Sequence, residues 1–190
     1  NDSVKVSPPT KIKITSLSKT DVTCFNGADG SILSITDNPP TGLNYTWTPN
    51  VSTINQANNL TAGTYQVLVS NVDGCKDSNS ITIFQPSIIK ITLLDTISGE
   101  CGEENGSIFI SASGGKSGFT YLWNNGKIGD RIYQLNAGTY TVNVKDQAGC
   151  NVSETFVLGC KPLLPIIVPQ FISPNNDGKN DLWIIEHLEL

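Results

Sequence analysis

The sequence has few of the side chains that enzymes use for nucleophilic and acid–base chemistry. Its 190 residues contain one histidine, His187, and no methionine. Nucleophilic catalysis needs a base placed against a serine or cysteine, and histidine-based zinc sites need several histidines. A single histidine three residues from the end argues against both kinds of site. The acidic residues lie mostly at turns and strand ends, so we predict no enzyme, no metal and no cofactor.

The chain also lacks clustered positive charge and long apolar runs. Twelve lysines and arginines stand against 17 aspartates and glutamates, for a formal net charge of -5. Electrostatic capture of nucleic acid or of an anionic membrane needs clustered Lys and Arg, and a membrane-spanning helix needs about 18 consecutive apolar residues. We therefore expect no nucleic-acid partner and no direct membrane insertion.

What the sequence does contain is a repeat of itself. Residues 60–65, with the sequence LTAGTY, return 75 residues later as LNAGTY at 135–140. The Tyr45-Thr46-Trp47 segment returns as Tyr121-Leu122-Trp123, and Gly74-Cys75 returns as Gly149-Cys150. Self-similarity at a fixed period indicates an array of like modules. The predicted division is 1–9 as the end of a preceding copy or a linker, copies at 10–86 and 87–162, and a C-terminal segment at 163–190.

The first residues of the sequence resemble the end of a copy. Ser3–Pro9 alternates apolar and polar residues and ends in proline, as Ile81–Pro86 does at the close of the first copy. Because position 1 is not a methionine, we expect that the segment has been processed or comes from a longer chain with a preceding copy.

Each copy is predicted to be a β-sandwich. Apolar and polar residues alternate over short runs such as Val67 to Val69 and Val142 to Val144, a pattern typical of half-buried antiparallel strands. Six or seven such runs in about 76 residues favour an immunoglobulin-like or fibronectin-like sandwich. The tyrosine of each AGTY segment is placed for a tyrosine corner. Positive φ is expected at the turn pairs Asp29-Gly30, Asp73-Gly74, Asn105-Gly106 and Gly114-Gly115.

Five cysteines lie at repeating positions, and they predict an oxidising, extracytoplasmic location. We expect Cys24 to pair with Cys75 and Cys101 with Cys150, on the view that both members of each pair lie at one end of a sandwich. Cys160 is left over. It has three alternatives: competition for Cys101 or Cys150, pairing with another chain, or a free thiol.

Two features of the copies have a functional alternative. Tyr45 with Trp47, and Tyr121 with Trp123, could stack on sugar rings, but aromatics on one strand face are more often core packing. The Asp-Gly pairs could bind calcium, but a hairpin turn explains each of them.

Taken together, these motifs resemble the SprB repeat. The pattern is Cys-x-x-Gly-x-Asp-Gly-Ser-Ile at 24–32, then Tyr-x-Trp, Leu-x-Ala-Gly-Thr-Tyr and Asp-Gly-Cys, closing on Gln85-Pro86. The second copy departs from it at 101–106 and at Gly159-Cys160-Lys161-Pro162. The SprB repeat fills large surface adhesins of gliding Bacteroidetes, so the resemblance implies a surface adhesin.

The C-terminal segment resembles the opening of the gliding-motility-associated C-terminal domain. That pattern is Phe-x-Pro-Asn-x-Asp-Gly-x-Asn-Asp followed by an aromatic residue, and the family domain runs several strands further. The resemblance implies a sorting signal read by the outer-membrane translocon of type IX secretion and by associated surface-anchoring proteins. The alternative for Asn175, Asp177 and Asp181 is a calcium loop. The residues that would form the sorting signal are Phe171, Ser173, Pro174, Asn175, Asp177, Gly178, Asn180, Asp181 and Trp183.

The same resemblance implies O-glycans, because the host phylum modifies Asp-Ser/Thr before an apolar residue. Ser3 and Thr96 fit this pattern. The function expected is that of a non-catalytic stalk of a secreted, surface-retained adhesin, with surface polysaccharide as a further partner. One alternative is a set of spacer or carbohydrate-binding modules of a secreted polysaccharide-degrading enzyme. Another is a filament subunit cross-linked through Cys160.

Overall fold

The computed structural model describes residues 11–37 and 42–162, in which every regular element is a β-strand. An all-β fold was predicted and is confirmed. The first copy contains β1 (Ile14–Thr20), β2 (Gly30–Thr36), β3 (Asn44–Thr48), β4 (Gln56–Leu60), β5 (Gly63–Ser70) and β6 (Lys76–Ile83). The second contains β7 (Lys90–Ile97), β8 (Gly99–Glu100), β9 (Gly106–Ser113), β10 (Thr120–Trp123), β11 (Arg131–Leu135), β12 (Gly138–Lys145), β13 (Asn151–Leu158) and β14 (Cys160–Lys161).

The two copies share one strand order. In the first copy the sheets have the orders β1-β2-β4 and β3-β5-β6. In the second they have the orders β7-β9-β11 and β10-β12-β13, with β8 and β14 added as a short parallel pair. Each sheet of the first copy has the same strand order as its counterpart in the second copy. The division of the strands between two sheets resembles that of immunoglobulin sandwiches. The expected sandwich architecture is thus present twice.

Alternating burial explains why these segments form half-buried strands. Along β5, Tyr65, Val67 and Val69 are buried while the residues between them are exposed or half-buried. The same alternation recurs at Val142 and Val144 of β12. A period of two places successive side chains on opposite faces of a sheet, so one face of each strand enters the core.

The aromatic residues form the centre of each copy. Trp47 and Trp123 are each only 2% exposed. Their indole Nε1 atoms donate to the backbone carbonyls of Ile54, at 2.9 Å, and Gly129, at 3.0 Å. A buried indole N–H needs such an acceptor. The core interpretation of Tyr-x-Trp is therefore confirmed for both tryptophans.

The AGTY segments form the expected tyrosine corners. The hydroxyl of Tyr65 donates to the carbonyl of Thr61 at 3.0 Å, and that of Tyr140 donates to the carbonyl of Asn136 at 2.8 Å. Each bond reaches back four residues and fixes the turn that enters β5 or β12.

At two of the four predicted turns, the prediction that glycine has a positive φ was wrong. Gly74 and the Gly114-Gly115 pair have positive φ, but Gly30 and Gly106 are the buried first residues of β2 and β9. A Cβ on Gly30 would lie 2.8 Å from the carbonyl oxygen of Leu60, and one on Gly106 would lie 2.8 Å from that of Leu135. Close approach of a neighbouring strand, and not backbone conformation, explains glycine at these two positions.

Packing divides the described residues into two compact units. The first unit runs to Thr92 and also includes Ala112–Tyr121 and Asn143–Ser153. The second comprises Leu93–Ser111, Leu122–Val142 and the residues from Glu154 onward. The border crosses β7, β9, β10, β12 and β13, whereas one copy ends at residue 86 and the next begins at residue 87. The two copies are therefore defined by their sequence and strand order, whereas the two units are defined by how the residues pack.

Candidate functional site: the cysteine turns

Disulfides connect four of the five cysteines. Cys24 is bonded to Cys150, with 5.6 Å between their Cα atoms, and Cys101 is bonded to Cys160, with 5.0 Å between theirs. Cys75 is a free, half-buried thiol. The predicted pairs Cys24–Cys75 and Cys101–Cys150 were therefore wrong, and Cys160, left over in the sequence, takes Cys101.

Strand direction explains the error. Gly30, at the start of β2, is paired with Leu60, at the end of β4, and β5 begins three residues later at Gly63. The β1–β2 turn that carries Cys24 is therefore at the end where β5 begins. Cys75 follows the other end of β5, whose eight residues at about 3.3 Å each span roughly 26 Å. Disulfides need Cα atoms within about 7 Å, so these two cysteines cannot join.

The second cysteine of each copy is held by the same turn. We call residues 71–75 and 146–150 the second-cysteine turns. In the first, the Cys75 amide donates to the side-chain oxygen of Asn71 at 2.9 Å, and the Asn71 amide donates to the Cys75 carbonyl at 3.1 Å. In the second, the Cys150 amide donates to Asp146 Oδ1 at 2.9 Å, and the Asp146 amide donates to the Cys150 carbonyl at 2.9 Å.

The glycine before each of these cysteines completes the match. Gly74 and Gly149 both have positive φ and donate to the carbonyls of Asn71 and Asp146. Only glycine adopts this conformation without steric cost. The two turns therefore present Cys75 and Cys150 in the same way, although only Cys150 is bonded.

Asp146 is a buried carboxylate, 5% exposed, that organises the bonded turn. Its Oδ2 accepts a hydrogen bond from the Lys116 amide at 2.8 Å. This bond is the largest cause that lowers the pKa of Asp146, and bonds from the Cys150, Ala148 and Gly149 amides lower it further. Burial acts in the opposite direction and raises the pKa. Hydrogen bonds to the ionised form favour that form. Asp146 is thus an ionised anchor of the turn.

The first cysteine of each copy lies in a different setting. We call the β1–β2 and β7–β9 connections the first-cysteine turns. Asp29 Oδ1 accepts from the Thr23 amide in one, and Asn105 Oδ1 accepts from the Glu100 amide in the other, both at 3.0 Å. Hydrogen bonds from Thr23 lower the pKa of Asp29. The bond from the Thr23 side chain has the larger effect, and the bond from its backbone amide has the smaller one. One side-chain cap is therefore retained in both copies.

The closing segment of each copy returns to its first-cysteine turn. In the first copy the Val22 amide donates to the Phe84 carbonyl at 2.9 Å, and the Phe84 amide donates to Asp21 Oδ1 at 2.8 Å. In the second, Cys160 pairs with Gly99 and Lys161 pairs with Glu100 in the parallel β8–β14 pair. Phe84 and Cys160 are equivalent positions, 76 residues apart. A cysteine at this position therefore lies beside the first cysteine of its own copy.

A cavity of about 210 Å³ lies beside the Cys24–Cys150 disulfide within the first unit. Its walls are mostly apolar, and its one carboxylate, Asp146, is occupied by the backbone amides described above. Pockets that do chemistry bring several free polar groups together. The residues lining the cavity include Phe25, Pro86, Ile88, Ile89 and Val152.

The remaining predicted sites are distributed as follows. The sugar-stacking alternative fails for Trp47 and Trp123, because both are buried. Thr96 is exposed near the end of β7, where its modification stays a prediction. Ser3 and every residue of the predicted sorting signal from Phe171 to Trp183 lie outside the described residues.

Within residues 11–37 and 42–162, no three His, Cys, Asp or Glu side chains are grouped so that they could hold a metal ion. The same part of the chain contains no helix long and apolar enough to cross a membrane.

Comparison with known proteins identifies a SprB repeat at residues 100–127. No curated protein matches the chain. Among solved structures, a C-terminal 282-residue fragment of intimin, in complex with the intimin-binding domain of the translocated intimin receptor, is 16% identical, with a TM-score of 0.39. That alignment covers 77% of this chain and 64% of the fragment, so the chain spans less than two thirds of it. The insect immune protein hemolin is 15% identical over 83% of this chain and 49% of its own, with a TM-score of 0.39.

The SprB repeat, the tandem immunoglobulin-like fold and the two disulfides fit the repeat region of an extracellular or surface protein. Repeats of this kind are typical of non-catalytic proteins.

Proposed function

We propose that this chain is the non-catalytic stalk of a secreted cell-surface adhesin, exported and retained by a type IX secretion system. The observation that carries the proposal is the repetition of one sandwich, with the same strand order and the same buried tryptophan in both copies. Repeating a stalk module lengthens it, whereas repeating an active site rarely helps.

Several features support a mechanical role over a catalytic one. The cavity beside Cys150 has no free ionisable group, because the amides of Lys116 and Cys150 occupy its carboxylate. The two disulfides close loops of 126 and 59 residues. In the chain-entropy model such loops stabilise a fold by about 5 and 4 kcal/mol. That is a large addition for small modules, whose cores alone are marginal.

The sorting signal is the second part of the proposal, and it rests on the sequence pattern at 171–183. Its partners would be the outer-membrane translocon and surface-anchoring proteins, and the location would be the cell surface in gliding or related bacteria. Surface polysaccharide is the ligand class that we propose for the whole adhesin.

The export test uses the gene with its natural sequence on both sides, expressed in a bacterium with a working type IX system. Alanine at Asn175, Asp177 and Asp181 should abolish surface labelling while the protein accumulates in the periplasm. A matched control replaces the exposed turn residue Val72, which is 87% exposed, with alanine and should leave labelling unchanged. Surface labelling that persists in a strain without the translocon would refute the export route.

The alternative of carbohydrate-binding spacer modules can be tested on the purified chain. Trp47 and Trp123 are buried, so soluble polysaccharides should not quench their fluorescence. The measurement uses a Trp183→Phe background, so that only these two indoles report. Saturable quenching would favour the carbohydrate-binding alternative over the stalk.

A further inference from the structure

The disulfide pattern follows a rule that leaves one cysteine without its partner. Cys24, the first cysteine of one copy, is bonded to Cys150, the second cysteine of the next copy. Under this rule the partner of Cys75, a second cysteine, is the first cysteine of a copy on its N-terminal side. The sequence of the described copies supplies no such residue, and Cys75 is a free thiol.

The local geometry of Cys75 supports the same conclusion independently. Its turn matches the bonded Cys150 turn bond for bond: the cysteine amide donates to an Asx side chain at 2.9 Å in both. A positive-φ glycine precedes both cysteines, and both side chains are half-buried. The same structural position therefore forms a disulfide in one copy and is unbonded in the other.

Cys101, the first cysteine of the second copy, departs from this pairing. Cys101 is bonded instead to Cys160, which occupies the position that Phe84 has in the preceding copy. The altered residues at 101–104 and 159–162 thus coincide with the one disulfide that stays within a copy.

We propose that Cys75 is a cross-linking site for the first cysteine of a further SprB-type repeat placed N-terminal to residue 10. The repeats would then form a disulfide ladder from copy to copy. This goes beyond the adhesin function, since it holds for any array of these repeats whatever its export route.

The chemistry is an ordinary thiol–disulfide exchange. The Cys75 thiolate attacks the disulfide of a thiol oxidoreductase, forming a mixed disulfide and releasing one thiol of the oxidant. The thiol of the preceding repeat then displaces the oxidant. Two protein thiols become one disulfide, and the oxidant leaves as a dithiol, so atoms and electrons balance.

The test extends the 190-residue chain with one more copy of residues 10–86, inserted directly before residue 10. In the added copy the cysteine equivalent to Cys75 is replaced with serine, and the protein is made in an oxidising compartment. Free thiols are counted with a maleimide reagent under denaturing, non-reducing conditions. The ladder predicts none, because the added first cysteine bonds Cys75. Pairing within copies would leave two, and that count would overturn the proposal.

Two further variants keep the test decisive. Replacing the first cysteine of the added copy with alanine as well should leave one thiol, at Cys75. If the serine variant fails to fold, as judged by the near-ultraviolet circular dichroism of its tryptophans, an added copy with both native cysteines replaces it. One thiol is then expected, on the second cysteine of the added copy. Peptide mapping that finds it at Cys160, or a dimer linked through Cys75, would overturn the ladder.

Discussion

At the scale of residues, a small set of side chains does the same work in both copies. Each tryptophan donates to a carbonyl in the connection after its strand, each corner tyrosine reaches back four residues, and each Asx cap holds an amide in the first-cysteine turn. Where the copies differ, the chemistry differs too. Asn71 and Asp146 occupy one position, but only Asp146 is charged and only its turn carries a disulfide.

The tyrosine corner should contribute measurably to stability. Tyr65→Phe removes the 3.0 Å bond to the Thr61 carbonyl from a side chain that is 5% exposed. Loss of one such bond typically costs about 0.5–1.5 kcal/mol. Urea unfolding of the oxidised chain should show a lower midpoint with an unchanged slope. Tyr133→Phe, at a tyrosine that is 53% exposed, is the control and should change the midpoint little.

Asp146 should make the chain acid-sensitive. Its folded pKa is lowered chiefly by the Lys116 amide, so its stabilisation is complete above the ordinary value near 3.8 and is lost as the pH falls through the lower folded pKa. Asp146→Asn should be less stable at pH 7, because the NH₂ group that replaces Oδ2 cannot accept from the Lys116 amide. It should also lose less stability than the parent chain between pH 5 and pH 2. An equal loss in both proteins, measured by urea unfolding at each pH, would contradict this role.

At the scale of elements, the first residue of β2 and of β9 shows how strand packing selects sequence. The carbonyls of Leu60 and Leu135 lie where a side chain would begin, so both strands start with glycine. These are backbone atoms held in sheets, and they cannot move aside as a flexible side chain would.

Gly30→Ala should therefore destabilise the first unit. Overpacking of a well-filled core typically costs 1–3 kcal/mol, and here the added Cβ would meet both the Leu60 carbonyl at 2.8 Å and Ile83 at 3.1 Å. Gly159→Ala is the control, because no atom lies within 4 Å of its added Cβ. Thermal unfolding should separate the two variants, and equal melting temperatures would refute the packing explanation.

The sequence predicted the elements well and their connections poorly. Alternation at Val67 to Val69 and the repeated Tyr-x-Trp indicate strands and core, because burial on one face of a sheet imposes a period of two. The pairing of the cysteines was predicted wrongly because it depends on which end of the sandwich each turn occupies. That follows from strand pairing such as Gly30 with Leu60, a contact between residues far apart in sequence. Likewise Asn-Gly at 105 and 106 has the sequence of a turn, but it leads into a crowded strand.

At the scale of the whole molecule, the Cys24–Cys150 bond changes how force would pass through the chain. A pull on the two termini would cross from Cys24 directly to Cys150 and bypass the chain between them, a sequence separation of 126 residues. Most strands of both copies lie in that bypassed segment. We expect a chain cross-linked in this way to extend little under load, as the proposed stalk function requires.

Single-molecule pulling of the oxidised and the reduced chain tests this account most directly. The oxidised chain should release no contour length from the segment between Cys24 and Cys150. Reduction should add the bypassed 126 residues, about 420–450 Å at 3.3–3.6 Å per residue, and should lower the unfolding forces. Equal contour lengths and equal forces before and after complete reduction would contradict a stalk clamped from copy to copy.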